Sequence, residues 1–134
     1  MPLEHLVTAQ TTAHSMNLPV SMAGIAYITI SVADMDVALG FWMGNMGFEL
    51  SRRRSGSDEL IAALWSIEAD DIIDQALLTS PGASAGRVHL LQFASPGEAV
   101  RHESAPTDIG PKNLDINCTD MHRHVADLKS AGYG

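Results

Sequence analysis

The chain has 134 residues, of which 46% are hydrophobic, and this suits one compact domain with a modest core. Its formal net charge is −8. A nucleic-acid partner needs a concentrated basic face, so this charge argues against one. The single cysteine excludes an intrachain disulfide, and no apolar stretch approaches the ~20 residues that cross a bilayer. The first residues lack the basic start and long apolar run of a signal peptide, so we expect a cytoplasmic protein without a membrane partner.

The chain opens with an arm and a strand. Residues 1–23 are Thr-rich and show no sustained period, so we interpret them as an N-terminal arm. Residues 25–32 alternate between apolar and polar side chains, which predicts a half-buried strand whose polar face can line a pocket. The apolar face carries Ile28, Ile30 and Val32, and the polar face carries Tyr27, Thr29 and Ser31.

A helix follows this strand. Asp34 predicts its start, because a carboxylate at that position accepts a hydrogen bond from an unpaired backbone N–H of the first turn. Residues 35–46 carry an apolar stripe at helical spacing, which we expect to be core, and Gly47 favours a left-handed stop. The stripe is Met35, Leu39, Trp42, Met43 and Met46.

The next strand, over residues 48–54, contains three consecutive arginines. Arg52 and Arg54 share one face of a strand, and Arg53 lies on the other. The run is compatible with a solvated or edge-protecting strand and with a clamp for phosphate or carboxylate groups. We favour the edge strand, because charged edges discourage unwanted pairing.

The region over residues 57–80 leaves alternatives open. Ser57 can cap a short helix that ends near Trp65, whereas residues 70–78 fit either a helix or a strand. After a turn over residues 81–86, residues 87–93 predict a strand with two distinct faces. Val88, Leu90 and Gln92 face one way, and Arg87, His89, Leu91 and Phe93 face the other.

The opening pattern recurs near the end of the sequence. Residues 96–112 are polar and contain three prolines, which indicates a linker. A short strand over residues 113–118, a capping Asp120 and an amphipathic helix that closes at Gly132 then follow. This order of strand, capping Asp, helix and Gly matches the first copy and indicates an internal repeat.

These patterns resemble a known family. The alternating strand, the Asp-initiated helix with Phe41-Trp42 and the following Met-Gly-Phe-Glu-Leu resemble the opening of a glyoxalase, bleomycin-resistance and extradiol-dioxygenase (vicinal oxygen chelate) module. The resemblance implies an α+β fold, with a βαβββ module and its mixed sheet over residues 24–95. An incomplete second module of one strand and one helix would occupy residues 113–134. The resemblance also implies a helix over residues 58–65 and a strand over residues 72–79.

The resemblance further implies where a divalent metal would bind. The family usually supplies a His from the first strand and a Glu from the last strand of each module, and these positions correspond to Tyr27, Asn113 and His89. A phenol and a neutral amide are poor ligands, and one His does not hold a metal. We therefore expect no metal at these positions and no cofactor, with a divalent metal as the less favoured alternative.

The resemblance implies a cavity for a small oxygenated or aromatic organic compound. We expect His89 to be either an acid/base group, since His titrates near neutral pH, or a hydrogen-bonded core residue. The alternative functions are a metal-dependent lyase, epimerase or dioxygenase of the superfamily and a structural half of a longer multi-module enzyme. The expected ligand-binding residues are Tyr27, Thr29, His89, Gln92 and Asn113.

The length of the second module adds one expectation. Only 22 residues run from Asn113 to the end of the sequence, which is too few for the strands of a complete module. An incomplete sheet leaves an open strand edge and an apolar face, and both favour association. We therefore expect either a fragment of a longer protein or a homodimer that completes the cavity.

Overall fold

The computed structural model describes residues 25–99, 105 and 114–133. The predicted arm over residues 1–23 and most of the predicted linker lie outside the described residues. Asn113, one of the expected ligand-binding residues, also lies outside them.

A four-stranded mixed sheet is the scaffold, with the strand order β1-β4-β3-β2. β1 (Tyr27–Val32) pairs in parallel with β4 (Arg87–Phe93), and β3 (Ile72–Thr79) runs antiparallel to both β4 and β2 (Glu49–Ser55). The predicted mixed sheet is confirmed. It includes the third strand, which the amphipathic pattern had left open and the family resemblance had implied.

The first helix is shorter than predicted. α1 (Met35–Leu39) begins at Asp34, whose carboxylate accepts a hydrogen bond from the Val37 N–H at 3.0 Å. The chain then continues as a π-helical turn over Gly40–Asn45, in which the Met46 N–H donates to the Phe41 carbonyl at 3.1 Å. A wider turn changes the angular spacing of the side chains. As a result Met43, which we expected in the core, is 40% exposed.

The main core lies between α1 and one face of the sheet. Side chains of the helix and the π-helical turn meet buried residues of β3 and β4, as the helical stripe predicted. Trp42 packs edge-to-face on Phe48, with ring centroids 5.2 Å apart. The buried members of this cluster are Met35, Leu39, Trp42, Phe48, Ala76, Leu78, Val88 and Leu90.

A second short helix packs on the opposite face of the sheet. α2 (Glu59–Trp65) is capped by Asp58 rather than by Ser57, because the Asp58 carboxylate accepts hydrogen bonds from the Leu60 and Ile61 N–H groups, both at 3.1 Å. A smaller buried cluster of Ala62, Ile72 and Leu91 holds this helix to the sheet. The two helices thus cover different faces, and α2 covers only part of its face.

The predicted second module is present only in part. α3 (Met121–Ser130) begins at Asp120 as expected, and the Asp120 carboxylate accepts a hydrogen bond from the Arg123 N–H at 3.0 Å. The predicted strand before it is absent, since residues 114–118 form no strand. The sheet of the described residues consists of β1, β4, β3 and β2, and residues 114–118 are not part of it. Among the described residues, no helix has the length and apolar character needed to traverse a membrane.

Candidate functional site

A pocket of about 320 Å³ lies on the face of the sheet that α2 partly covers. Its floor comes from the central strands, one side from β2, and its rim from the first turn of α2. The lining combines apolar side chains with charged and hydrogen-bonding groups. Its residues include Tyr27, Arg52, Asp58, Ile61, Leu77 and His89.

A continuous chain of hydrogen bonds crosses the pocket floor, and we call it the relay. Starting from β1, the Thr29 hydroxyl lies 3.2 Å from His89 Nδ1, and His89 Nε2 lies 3.3 Å from Gln75 Oε1. The Gln75 Nε2 group then donates to Asp58 Oδ2 at 2.8 Å, and Arg54 Nη1 donates to the same oxygen at 3.1 Å. The relay therefore links all four strands with the N-terminus of α2.

The chemistry of the relay assigns the protons on His89. A carboxylate only accepts hydrogen bonds, so Gln75 must turn its NH₂ group towards Asp58 and its carbonyl oxygen towards His89. His89 Nε2 must then carry the hydrogen, and Nδ1 accepts the hydrogen bond from the Thr29 hydroxyl. When the imidazole is neutral, the network thus selects its Nε2–H tautomer.

Burial, charge and hydrogen bonds shift the pKa values of His89 and Asp58 in the relay. His89 is only 9% exposed, and burial lowers its pKa, although the negative charge of Asp58 opposes this shift. The hydrogen bond from Gln75 lowers the pKa of Asp58, with further help from the Ile61 N–H and the Arg54 charge. At neutral pH the relay therefore holds a neutral imidazole beside an ionised carboxylate.

The expected residues of β1 meet at this imidazole. The Tyr27 ring packs edge-on against His89, with centroids 5.6 Å apart and planes at 73°. Tyr27 remains 51% exposed and lines the pocket, whereas Thr29 reaches the site through its hydrogen bond to His89. The structure therefore brings together Tyr27, Thr29 and His89, as the alternation in β1 and β4 implied.

The expected ligand-binding residue Gln92 does not belong to this group, because it is not part of the pocket lining. Its side chain lies on the α1 face of the sheet, where Oε1 accepts a hydrogen bond from the Met35 N–H at 2.9 Å. It satisfies one of the unpaired donors at the start of α1. The alternation in β4 already placed Gln92 with Val88 and Leu90, on the face away from the pocket.

Two polar residues of the site were missed. Asp58 and Gln75 lie at the centre of the relay. Asp58 was overlooked because the cap of α2 was assigned to its neighbour, and Gln75 because its segment fitted a helix as well as a strand. The sequence would have indicated Gln75 as a partner of His89 only if β3 had been known to pair with β4.

The three arginines of β2 divide between the two faces of the sheet. Arg53 lies on the α1 side, where its Nη2 group contacts Asp74 Oδ2 at 2.6 Å and Asp36 Oδ1 at 3.0 Å. These hydrogen bonds, that of Asp74 above all, raise the pKa of Arg53 further. Arg52 and Arg54 lie on the pocket side. Among the strands that the structure describes, β2 lies at an edge of the sheet, as the arginine run predicted.

The donor set of the pocket does not fit a divalent metal. Both ring nitrogens of His89 already have protein partners, and Tyr27 offers only a phenol. Within residues 25–99, 105 and 114–133, no three His, Cys, Asp or Glu side chains are grouped as a metal site would need. The third expected position, Asn113, lies outside the described residues.

Comparison with known proteins agrees with this architecture. A glyoxalase family protein from Bacillus cereus superposes with a TM-score of 0.70 at 20% identity, over 84% of this chain and 74% of that chain. The chain has a glyoxalase-like fold. The protein SMU.1112c matches with a TM-score of 0.57 at 15% identity, over 84% of this chain and 77% of that chain.

These matches establish the glyoxalase-like fold and nothing finer, because their sequence identities are low. No family model and no curated protein matches the chain. The α+β, βαβββ architecture implied by the resemblance is therefore confirmed. The chemistry of the pocket has to be argued from the residues of this chain.

Proposed function

We propose that this glyoxalase-like protein binds a small oxygenated or aromatic organic compound in the pocket between its sheet and α2, without the metal usual for such folds. Ligand pockets are typically apolar with a few well-placed polar groups. Here the half-buried Ile61 and Leu77 provide apolar walls, and the Tyr27 ring stands beside the relay. The observation that carries the proposal is this pocket with a polar floor whose hydrogen bonds are already satisfied.

The state of His89 favours binding over catalysis. Both ring nitrogens are engaged, one with Thr29 and the other with Gln75, and neither is directed at a ligand without a rearrangement. A general base must lie within hydrogen-bond reach of the proton that it removes. We therefore propose that His89 shapes and orients the pocket floor, and that an acid/base role would require a ligand to displace one of these partners.

Association with a second copy is the companion proposal. Leu60 and Leu64 on α2 are 84% and 77% exposed, and Leu60 also lines the pocket. Exposed apolar groups clustered in this way favour a protein interface. The outer edge of β1 also has no pairing strand among the described residues. We propose a homodimer in which these surfaces lie against the partner, in the cytoplasm and without nucleic acid.

A thermal-shift screen with elemental analysis tests the proposed function. Small aromatic and keto compounds should raise the melting temperature of protein that contains no stoichiometric metal. At a tenfold excess over Kd, a ligand stabilises the folded state by about 1.4 kcal/mol, which corresponds to several degrees. Stoichiometric metal in the purified protein would favour the metal-dependent enzyme instead.

Two variants locate the binding. Leu77→Trp fills the pocket and should abolish the ligand-induced shift, whereas Leu114→Trp changes an exposed residue that is not part of the pocket lining and should retain it. A ligand that stabilises both variants equally does not bind in the proposed pocket.

A further inference from the structure

We infer that the pocket selects a small carboxylate with an apolar or aromatic body, and that Arg52 binds the carboxylate group. This inference rests on the proposed function and specifies its ligand class. It starts from the geometry of β2, the edge strand that forms one side of the pocket.

A β-bulge directs Arg52 into the pocket. Leu50 pairs with Leu78, but Arg52 pairs with Leu77, so Ser51 is an extra residue in the β2 ladder. Without the bulge, Arg52 would lie on the same face as Leu50 and Leu78, towards α1. The extra residue reverses the faces for the rest of the strand, which is a known effect of bulges beside functional sites.

After the bulge, the three arginines lie on different faces of the sheet and differ in their polar partners. Arg53 now faces α1, where Asp36 and Asp74 neutralise it. Arg54 faces the pocket, but its guanidinium donates to Asp58 at 3.1 Å and to the Ser57 carbonyl at 3.2 Å. Arg52 lines the pocket, and its side chain has no hydrogen bond or ion pair within the described part of the chain.

The charges of the lining therefore leave a positive excess. Arg52 and Arg54 contribute two positive charges, and Asp58 contributes one negative charge. His89 adds none at neutral pH, because burial keeps it neutral. The pocket therefore has a positive excess although the whole chain has a formal net charge of −8. One unpaired guanidinium fork matches one planar carboxylate in charge and shape.

The apolar walls complete the specificity. Leu77 pairs with Arg52 across the β2–β3 ladder, so an apolar surface begins directly beside the guanidinium. Ile61 from α2 and the Tyr27 ring belong to the same lining. A ligand that placed its carboxylate on Arg52 could lay its body over these side chains.

A pair of isosteric probes tests the inference on the intact chain. Binding of 2-naphthoate and of 2-naphthamide is followed by ¹H–¹⁵N NMR titration at low ionic strength, since salt screens the contribution of the charge. The wild-type protein should bind the carboxylate about tenfold more tightly than the amide. Arg52→Gln should remove this preference while leaving the affinity for the amide unchanged.

Arg123→Gln is the matched control, because it removes the same charge from the exposed face of α3 and should retain the preference. The Arg52 side chain is exposed and has no polar partner among the described residues, so its substitution should not prevent folding. Equal binding of both probes in the pocket would overturn the carboxylate inference and leave the proposed function standing. If neither probe shifts any pocket resonance, both the inference and the proposed function fail.

Discussion

His89 and Gln75 are joined across neighbouring strands by a hydrogen bond from the imidazole Nε2 to the amide Oε1, at 3.3 Å. The other end of the amide is bonded to the ionised Asp58 at 2.8 Å. The carboxylate therefore determines the orientation of the amide, and the amide determines the tautomer of the imidazole. Because these polar groups are hydrogen-bonded to one another, they help to keep the side chains on this face of the sheet in one arrangement.

Replacing Gln75 should expose the dependence of His89 on this contact. Gln75→Leu removes an acceptor from His89 and a donor from Asp58, and we expect a loss of about 1–3 kcal/mol in the free energy of unfolding. The ¹⁵N chemical shifts of the imidazole should also change from a pure Nε2–H tautomer to a mixture. Leu114→Ala, on an exposed side chain, is the control for the unfolding measurement. An unchanged imidazole spectrum in Gln75→Leu would contradict the tautomer assignment.

The pH dependence of stability should report the burial of His89. Burial lowers its pKa below the ordinary value of 6.5, so the unfolded chain takes up the proton first as the pH falls. This contribution to stability is therefore complete above about pH 6.5 and is lost as the pH falls through the folded-state pKa. The lowered pKa of Asp58 acts in a separate range, below its ordinary value of 3.8.

Urea unfolding between pH 7.5 and pH 5 measures this effect. The wild-type free energy of unfolding should decline with falling pH by at most about 1.4 kcal/mol per pH unit for this one group. His89→Gln should show a shallower decline, and Leu114→Ala, which changes an exposed side chain without a titratable group, should keep the wild-type slope. Identical pH slopes for His89→Gln and the wild type would show that His89 titrates as it does in the unfolded chain.

The exposed apolar side chains of α2 lead to a prediction about assembly. Light scattering should give the mass of two chains for the wild type, and Leu64→Arg should shift the population to the monomer, because a buried unpaired charge opposes association. Val37→Arg changes a comparably exposed apolar residue on α1, away from the proposed interface, and should remain dimeric. A wild-type monomer at micromolar concentration would refute the homodimer.

Local patterns were sufficient to predict much of this fold. Alternation in β1 and β4 predicted which side chains share a face, and it correctly set His89 apart from Gln92. The capping carboxylates Asp34 and Asp120 predicted the starts of two helices. These features depend on neighbouring residues alone, so a single sequence contains them.

The features that were missed depend on partners distant in the sequence. The bulge at Ser51 is defined by the pairing of β2 with β3. The sequence of the arginine run does not indicate an extra residue. The relay requires Asp58 and Gln75 to meet, which follows only from the packing of α2 beside the sheet. Residues 114–118 have strand-like alternation but do not form a strand, so the local pattern alone was not sufficient to predict this segment.

The central claim is that the pocket beneath α2 binds its ligand without a metal. The most direct measurement is a ¹H–¹⁵N NMR titration of EDTA-treated protein with a compound from the thermal-shift screen, repeated after one equivalent of Zn²⁺ is added. We predict chemical-shift changes at Tyr27, Leu77 and His89, with the same dissociation constant in both samples. Binding that appears only after the metal is restored, or shift changes confined to the α1 face around Val37, would contradict the claim.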